Sequence, residues 1–136
     1  MTAPIGLLSL ATASPPYTVP QAEVAEQAIR LYADKIPNFE KLAPVFRNAG
    51  IRTRQSVMPM DWYLTPRGWP ERTAAYLAGA VDLFEQAALS ALDEAGLTGA
   101  EVDVIVTVSS TGIATPSLEA RAMGRLGFRP DAARVP

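Results

Sequence analysis

Ile5 to Ala11 is a short, mainly apolar run bounded by Pro4 and by Ser14-Pro15-Pro16, and it predicts a buried strand. Thr18-Val19-Pro20 leads into a helical pattern. Val24, Ala28, Leu31 and Tyr32 give it one apolar face, and proline suits a first turn because its missing N–H would be unpaired there. Pro37-Asn38 marks a break. A second helix is predicted from about Phe39 to Ala49, with Leu42, Val45, Phe46 and Ala49 on one face, interrupted by Pro44 and stopped at Gly50. Ile51 to Val57 sets Arg52, Arg54 and Ser56 against Ile, Thr, Gln and Val, the pattern of a strand with one polar side. Met58 to Pro70 is rich in proline and reads as an irregular loop.

Glu71 to Ala95 carries the longest signal. Leu77, Val81, Phe84, Ala88 and Leu92 lie near one stripe, and Ala74, Ala78, Ala87, Ala91 and Ala95 widen it, which suits a helix packed on several neighbours. Gly96 ends it, and Thr98-Gly99 turns the chain into Val102 to Val108. That run is apolar and β-branched apart from Asp103 and Thr107, as in a parallel strand buried on both faces. A polar loop, Ser109 to Thr115, precedes a helix opened by Pro116 and closed by Gly127. The alternation is an α/β pattern, and it predicts a further strand near Val135, parallel to Val102–Val108 and reached by a right-handed crossover. The sequence thus reads as a piece of a larger protein.

The 136 residues are 49% hydrophobic and 19% charged, a globular composition with enough length for one core. A formal charge of −2 provides no basic excess for nucleic acid. Cysteine and histidine are absent, which excludes disulfides, thiolate nucleophiles, imidazole bases and zinc sites built on those residues; no catalytic or metal-ligating residue is assigned. Apolar runs fall short of the roughly 18–20 residues that span a bilayer. The Ala3 to Ser14 stretch ends like a leader cleavage site. A leader needs positive charge before its apolar stretch, and the first basic residue of the chain is Arg30, so a strand and a cytoplasmic location are the better reading.

Val104-Ile105-Val106-Thr107-Val108-Ser109-Ser110-Thr111-Gly112-Ile113-Ala114-Thr115-Pro116-Ser117, followed by Leu126-Gly127-Phe128-Arg129-Pro130, resembles the type III polyketide synthases, the chalcone and stilbene synthase family. Val45 to Arg54 resembles that family's helix and turn before its second strand, and residues 5–20 its opening strand and helix entry. The resemblance implies the N-terminal portion of a thiolase-like α/β fold, a mixed sheet with packed helices, over residues 1–136. It implies a homodimeric parent enzyme, an acyltransferase. Such an enzyme loads an acyl group from a coenzyme A thioester onto a cysteine, extends it with malonyl-CoA by decarboxylative Claisen condensation and cyclises the product. No tightly bound cofactor is implied, and no nucleic-acid or membrane partner. The family's cysteine follows the strand expected around Val135, and its histidine and asparagine lie further on, so the chain alone is expected to be inactive.

Three groups carry candidate roles. Arg47, Arg52 and Arg54 cluster before and within the second predicted strand, and arginine forks match the phosphates of coenzyme A. The resemblance places Arg47 at a basic position of the family, whereas Arg52 and Arg54 follow a turn shorter than the family's. The plain alternative for all three is a solvated surface charge. Ser109, Ser110 and Thr111 stand at the carboxyl end of a strand, where α/β sheets bind ligands. The resemblance makes this loop a wall of the starter pocket; the alternative is hydroxyls that satisfy the loop backbone. Thr115-Pro116 matches a family dipeptide with a cis bond at the dimer interface; the alternative is an ordinary helix start. Trp62, Tyr63 and Trp69 read as loop residues packed on the core, and Asp61, Asp82, Glu85, Asp93 and Glu94 as helix-surface charges or caps.

Two other readings compete. A ketoacyl synthase of the third class shares the thiolase fold, but the Ser-Thr-Gly-Ile-Ala-Thr-Pro-Ser loop favours the polyketide family. A non-catalytic interaction module would be a stable monomer.

Overall fold

The computed structural model describes residues 4–136, so Ala3, the start of the leader-like stretch, lies outside the described residues. Two compact units form, one from Pro15–Gly68 and one from residues 4–14 with Trp69–Pro136.

In the first unit, β1 (Tyr17–Pro20) runs antiparallel to β2 (Thr53–Ser56), pairing Val19 with Arg54. The lead-in Thr18-Val19-Pro20 is therefore a strand, with Val19 buried beneath it. Helix α1 (Gln21–Tyr32) follows directly on Pro20, whose extended backbone hands the chain into the first turn. The predicted second helix is split at Ala43-Pro44 into α2 (Phe39–Leu42) and α3 (Val45–Asn48), because proline has no N–H to continue the ladder. Phe39 is buried, with its ring 6.0 Å from that of Tyr32. The region expected to be irregular contains a short helix, α4 (Met60–Leu64), started after the extended Pro59. Proline in a first turn costs nothing, so a proline-rich stretch can still hold a helix between its prolines.

In the second unit, α5 (Trp69–Ala95) matches the long apolar stripe. Val81 is buried and Leu77, Phe84, Ala88 and Leu92 are half-buried around it, while Ala74 and Ala78 on the widened side stay exposed. Its end is a Schellman closure. Gly96 adopts φ +68°, and the N–H groups of Gly96 and Leu97 reach back to Asp93 and Leu92 at 3.0 and 2.9 Å. Strand β3 (Val104–Val106) pairs parallel with β4 (Ala133–Val135), the further strand predicted from alternation. Between them α6 (Leu118–Leu126) packs along α5, with Ala122 and Leu126 buried. Arg125 of α6 lies 2.7 Å from Glu85 of α5, so Glu85 is an interhelical partner rather than a surface charge.

Two strand expectations need correction. Residues 4–14 form no strand. Ile5, Leu7, Leu8 and Leu10 are largely exposed, since among the described residues no neighbouring strand takes up their backbone N–H and C=O groups. Burial alternates from Ser9 to Pro15, and Ser9 donates to the Ala91 carbonyl of α5 at 2.7 Å, so this segment is extended and tied to the helix. Strand β3 is buried on one face only. Ile105 points inward, whereas Val104 and Val106 are 55% and 65% exposed, so the face they share is left uncovered among the described residues. Trp69 departs from expectation too: it opens α5 and stays exposed, with Arg72 over its ring at 6.0 Å.

Candidate functional site

The basic cluster lies in the first unit and is organised by a residue the sequence did not single out. Gln21, the first residue of α1, is buried, and it binds three segments at once. Its backbone N–H donates to the Arg52 carbonyl at 2.9 Å, its side-chain amide donates to the Phe46 carbonyl at 3.1 Å, and its amide oxygen accepts from Arg54 Nε at 2.7 Å. Gln21 thereby joins α3, the turn after it and β2, the segments that carry Arg47, Arg52 and Arg54. Arg47 is exposed on α3 and Arg52 on the turn, and neither side chain has an ion-pair partner among the described residues. Arg54 is committed to Gln21 through one nitrogen. A glutamine after a proline, at the start of an amphipathic helix, gives no periodicity signal, which is why it escapes a sequence reading.

Beside Arg54 is an open apolar pocket of about 280 Å³ lined by α1, β2 and α4, with walls that include Val24, Ala28, Leu31, Met60 and Leu64. Ser56 and Tyr63 close one side through a 2.8 Å hydroxyl contact, and Ser56 donates onward to the Met58 carbonyl at 2.7 Å. Trp62 lies outside that lining; it meets Tyr63 edge-on at 4.9 Å and carries Arg67 over its ring.

The Ser109–Thr115 loop lies in the second unit, at the carboxyl end of β3. Ser109, Ser110 and Thr111 are exposed. Tyr76 of α5 fixes the first half of the loop: its hydroxyl is 2.8 Å from Ser109 Oγ, and its ring fills the space beside Gly112. The Thr115-Pro116 peptide bond is cis. Arg121 of α6 holds the carbonyls of both residues, donating to Pro116 O at 2.8 Å and to Thr115 O at 2.9 Å.

Beneath the loop lies Glu119, a charge with no exposed surface. Thr107 Oγ1 donates to one carboxylate oxygen at 2.7 Å, and Ser117 Oγ donates to the other. Burial pushes this carboxyl up, but the two hydroxyls, its own backbone N–H and the charge of Arg134 outweigh that, so its pKa lies below the ordinary glutamate value. A serine two residues before an acid in the first turn of a helix is the sequence trace of this arrangement. No cluster of metal-ligating side chains occurs among the described residues. Nor is any helix among them long and apolar enough to cross a membrane.

No family model matches the chain. The 1,3,6,8-tetrahydroxynaphthalene synthase of Streptomyces peucetius subsp. caesius is 38% identical over 125 residues, which cover 92% of this chain and 33% of that protein. The crystal structure of the tetrahydroxynaphthalene synthase of Streptomyces coelicolor A3(2), described as a bacterial type III polyketide synthase, superposes with a TM-score of 0.81 at 29% identity. It covers 94% of this chain and 37% of that one. Its structural neighbours are type III polyketide synthases. The phloroglucinol synthase of Pseudomonas fluorescens is a more distant relative, 25% identical over 90% of this chain. The chain spans about a third of the length of the curated relatives it matches, and its fold is the N-terminal portion of the thiolase-like fold of the type III polyketide synthases.

Proposed function

We propose that the chain is the N-terminal part of a type III polyketide synthase, a homodimeric cytoplasmic enzyme that extends a starter acyl-CoA with malonyl-CoA and cyclises the product. The observation that carries this is the 38% identity to a tetrahydroxynaphthalene synthase running through 92% of the chain. The exposed guanidinium groups of Arg47 and Arg52, which have no ion-pair partner among the described residues, suit the phosphates of coenzyme A, and Arg54 contributes at the same edge through the nitrogens it does not give to Gln21. Ser109, Ser110 and Thr111 line the acyl pocket, and Thr115 with Pro116 belongs to the dimer interface.

The chemistry needs a thiolate that attacks the acyl-CoA carbonyl, expels coenzyme A and holds the acyl group as a thioester. It also needs donors that stabilise the enolate formed when the malonyl thioester loses carbon dioxide, before that enolate attacks the acyl carbon. Neither sulfur nucleophile nor imidazole occurs in these 136 residues. In this reading the nucleophile follows β4, outside the chain described. Incubation with malonyl-CoA and a panel of acyl-CoA starters, in the protein that continues past Pro136, tests the proposal. Malonyl-dependent release of coenzyme A with aromatic or pyrone products is expected, and its absence for every starter would overturn the reading.

A further inference from the structure

We infer that Glu119 is a positioning residue that clasps the Ser109–Thr115 loop, joining its two stems through one buried carboxylate. Thr107 precedes the loop on the β3 side and Ser117 follows it at the start of α6, and each gives its hydroxyl to a different oxygen of Glu119. A loop with both ends tied to one rigid group has far fewer conformations open to it than one hinged on flanking peptides alone. The remaining contacts act along the same loop. Tyr76 holds its first half through Ser109 and Gly112, and Arg121 holds the Thr115 and Pro116 carbonyls. Glu119 is the member that reaches both stems.

Its chemistry suits the task. A carboxylate accepts at two oxygens at once, which no neutral side chain of that size does, and a charged acceptor strengthens each bond. Complete burial keeps water from competing for the two hydroxyls. Arg134, on β4, places a positive charge near enough to favour the ionised form, so the clasp also feels the strand next to β3.

The clasp stands on this geometry alone; any influence on acyl-group choice rests on the pocket reading of the loop. Hydrogen exchange of the 136-residue chain separates the two. In Glu119→Ala the stem amides of Thr107 and Arg121, which donate to the Val135 and Ser117 carbonyls, should exchange about tenfold faster while those of α5 and β1 keep their protection. Glu119→Gln, which keeps one acceptor oxygen, should fall between. Should Glu119→Ala fail to fold, the Thr107→Val/Ser117→Ala double variant removes both arms and should give the same local acceleration. Exchange at Thr107 and Arg121 that is unchanged in the double variant, or that rises only in step with the whole second unit, would overturn the clasp. In the turnover assay, faster exchange combined with an unchanged ratio of kcat/KM between short and long starters would keep the clasp and remove the pocket reading.

Discussion

Tyr76 occupies the space that a β-carbon on Gly112 would need: such a carbon would lie 2.7 Å from the phenol ring. The ring belongs to the mid-part of a rigid helix, so the loop has to accommodate the ring rather than the reverse. Gly112→Ala is therefore expected to cost about 1–3 kcal/mol, the usual penalty of overpacking, read from urea melts. Tyr76→Ala should relieve most of that cost when combined with it. Additive losses in the double variant would show that the contact does not limit the loop.

Acid should loosen the same region. The Glu119 pKa lies below the unfolded glutamate value of about 4.3. Its contribution to stability is thus fully present above that value and is lost as the pH falls through the lower folded pKa. Replacement by glutamine removes the titration. Melting temperatures of Glu119→Gln should consequently fall less steeply than wild type below pH 4 to 5, and parallel curves would contradict this.

How much of this was legible in the sequence follows physical lines. Wherever an element packs one face, its periodicity shows: the stripe from Leu77 to Leu92, the break at Pro44 and the glycine stop at Gly96 all appear as expected. The parallel strand near Val135 followed from alternation alone. Strand character at residues 5–11 and two-faced burial of Val102–Val108 were inferred from apolar composition, which reports what a segment can bury and not which neighbours are present to bury it. The polar organisers stayed hidden for another reason. Gln21 bonds to segments 25 or more residues away and Glu119 to a hydroxyl 12 residues earlier, pairings that leave no local pattern; only Ser117, two residues before Glu119, leaves a trace.

The arginines should separate by role. Arg47 has no ion-pair partner among the described residues, so Arg47→Ala should leave the melt within about 0.5 kcal/mol of wild type while weakening coenzyme A binding severalfold in calorimetry. Arg54→Ala, which strands the buried Gln21 oxygen, should cost about 1–3 kcal/mol in the same melts. An unchanged coenzyme A affinity in Arg47→Ala would remove that residue from the binding site.

Exposed apolar surface should dominate the solution behaviour of the chain. Leu7, Leu8, Val104, Val106 and Val108 all present side chains to water in the second unit, and β3 has β4 as its single partner among the described residues. Unpaired strand edges recruit further strands. Light scattering should show concentration-dependent self-association, reduced by Val106→Lys. A clean monomer with a cooperative melt would count against this, and in favour of a free-standing module.

The most direct test is the intact mass after exposure to an acyl-CoA. The 136-residue chain, having no thiol, should emerge with its mass unchanged and release no coenzyme A. The protein that continues beyond Pro136 should gain one acyl group, located on a cysteine downstream of β4. A stable acyl adduct on any residue of the 136-residue chain, or no adduct on the longer protein, would contradict the account.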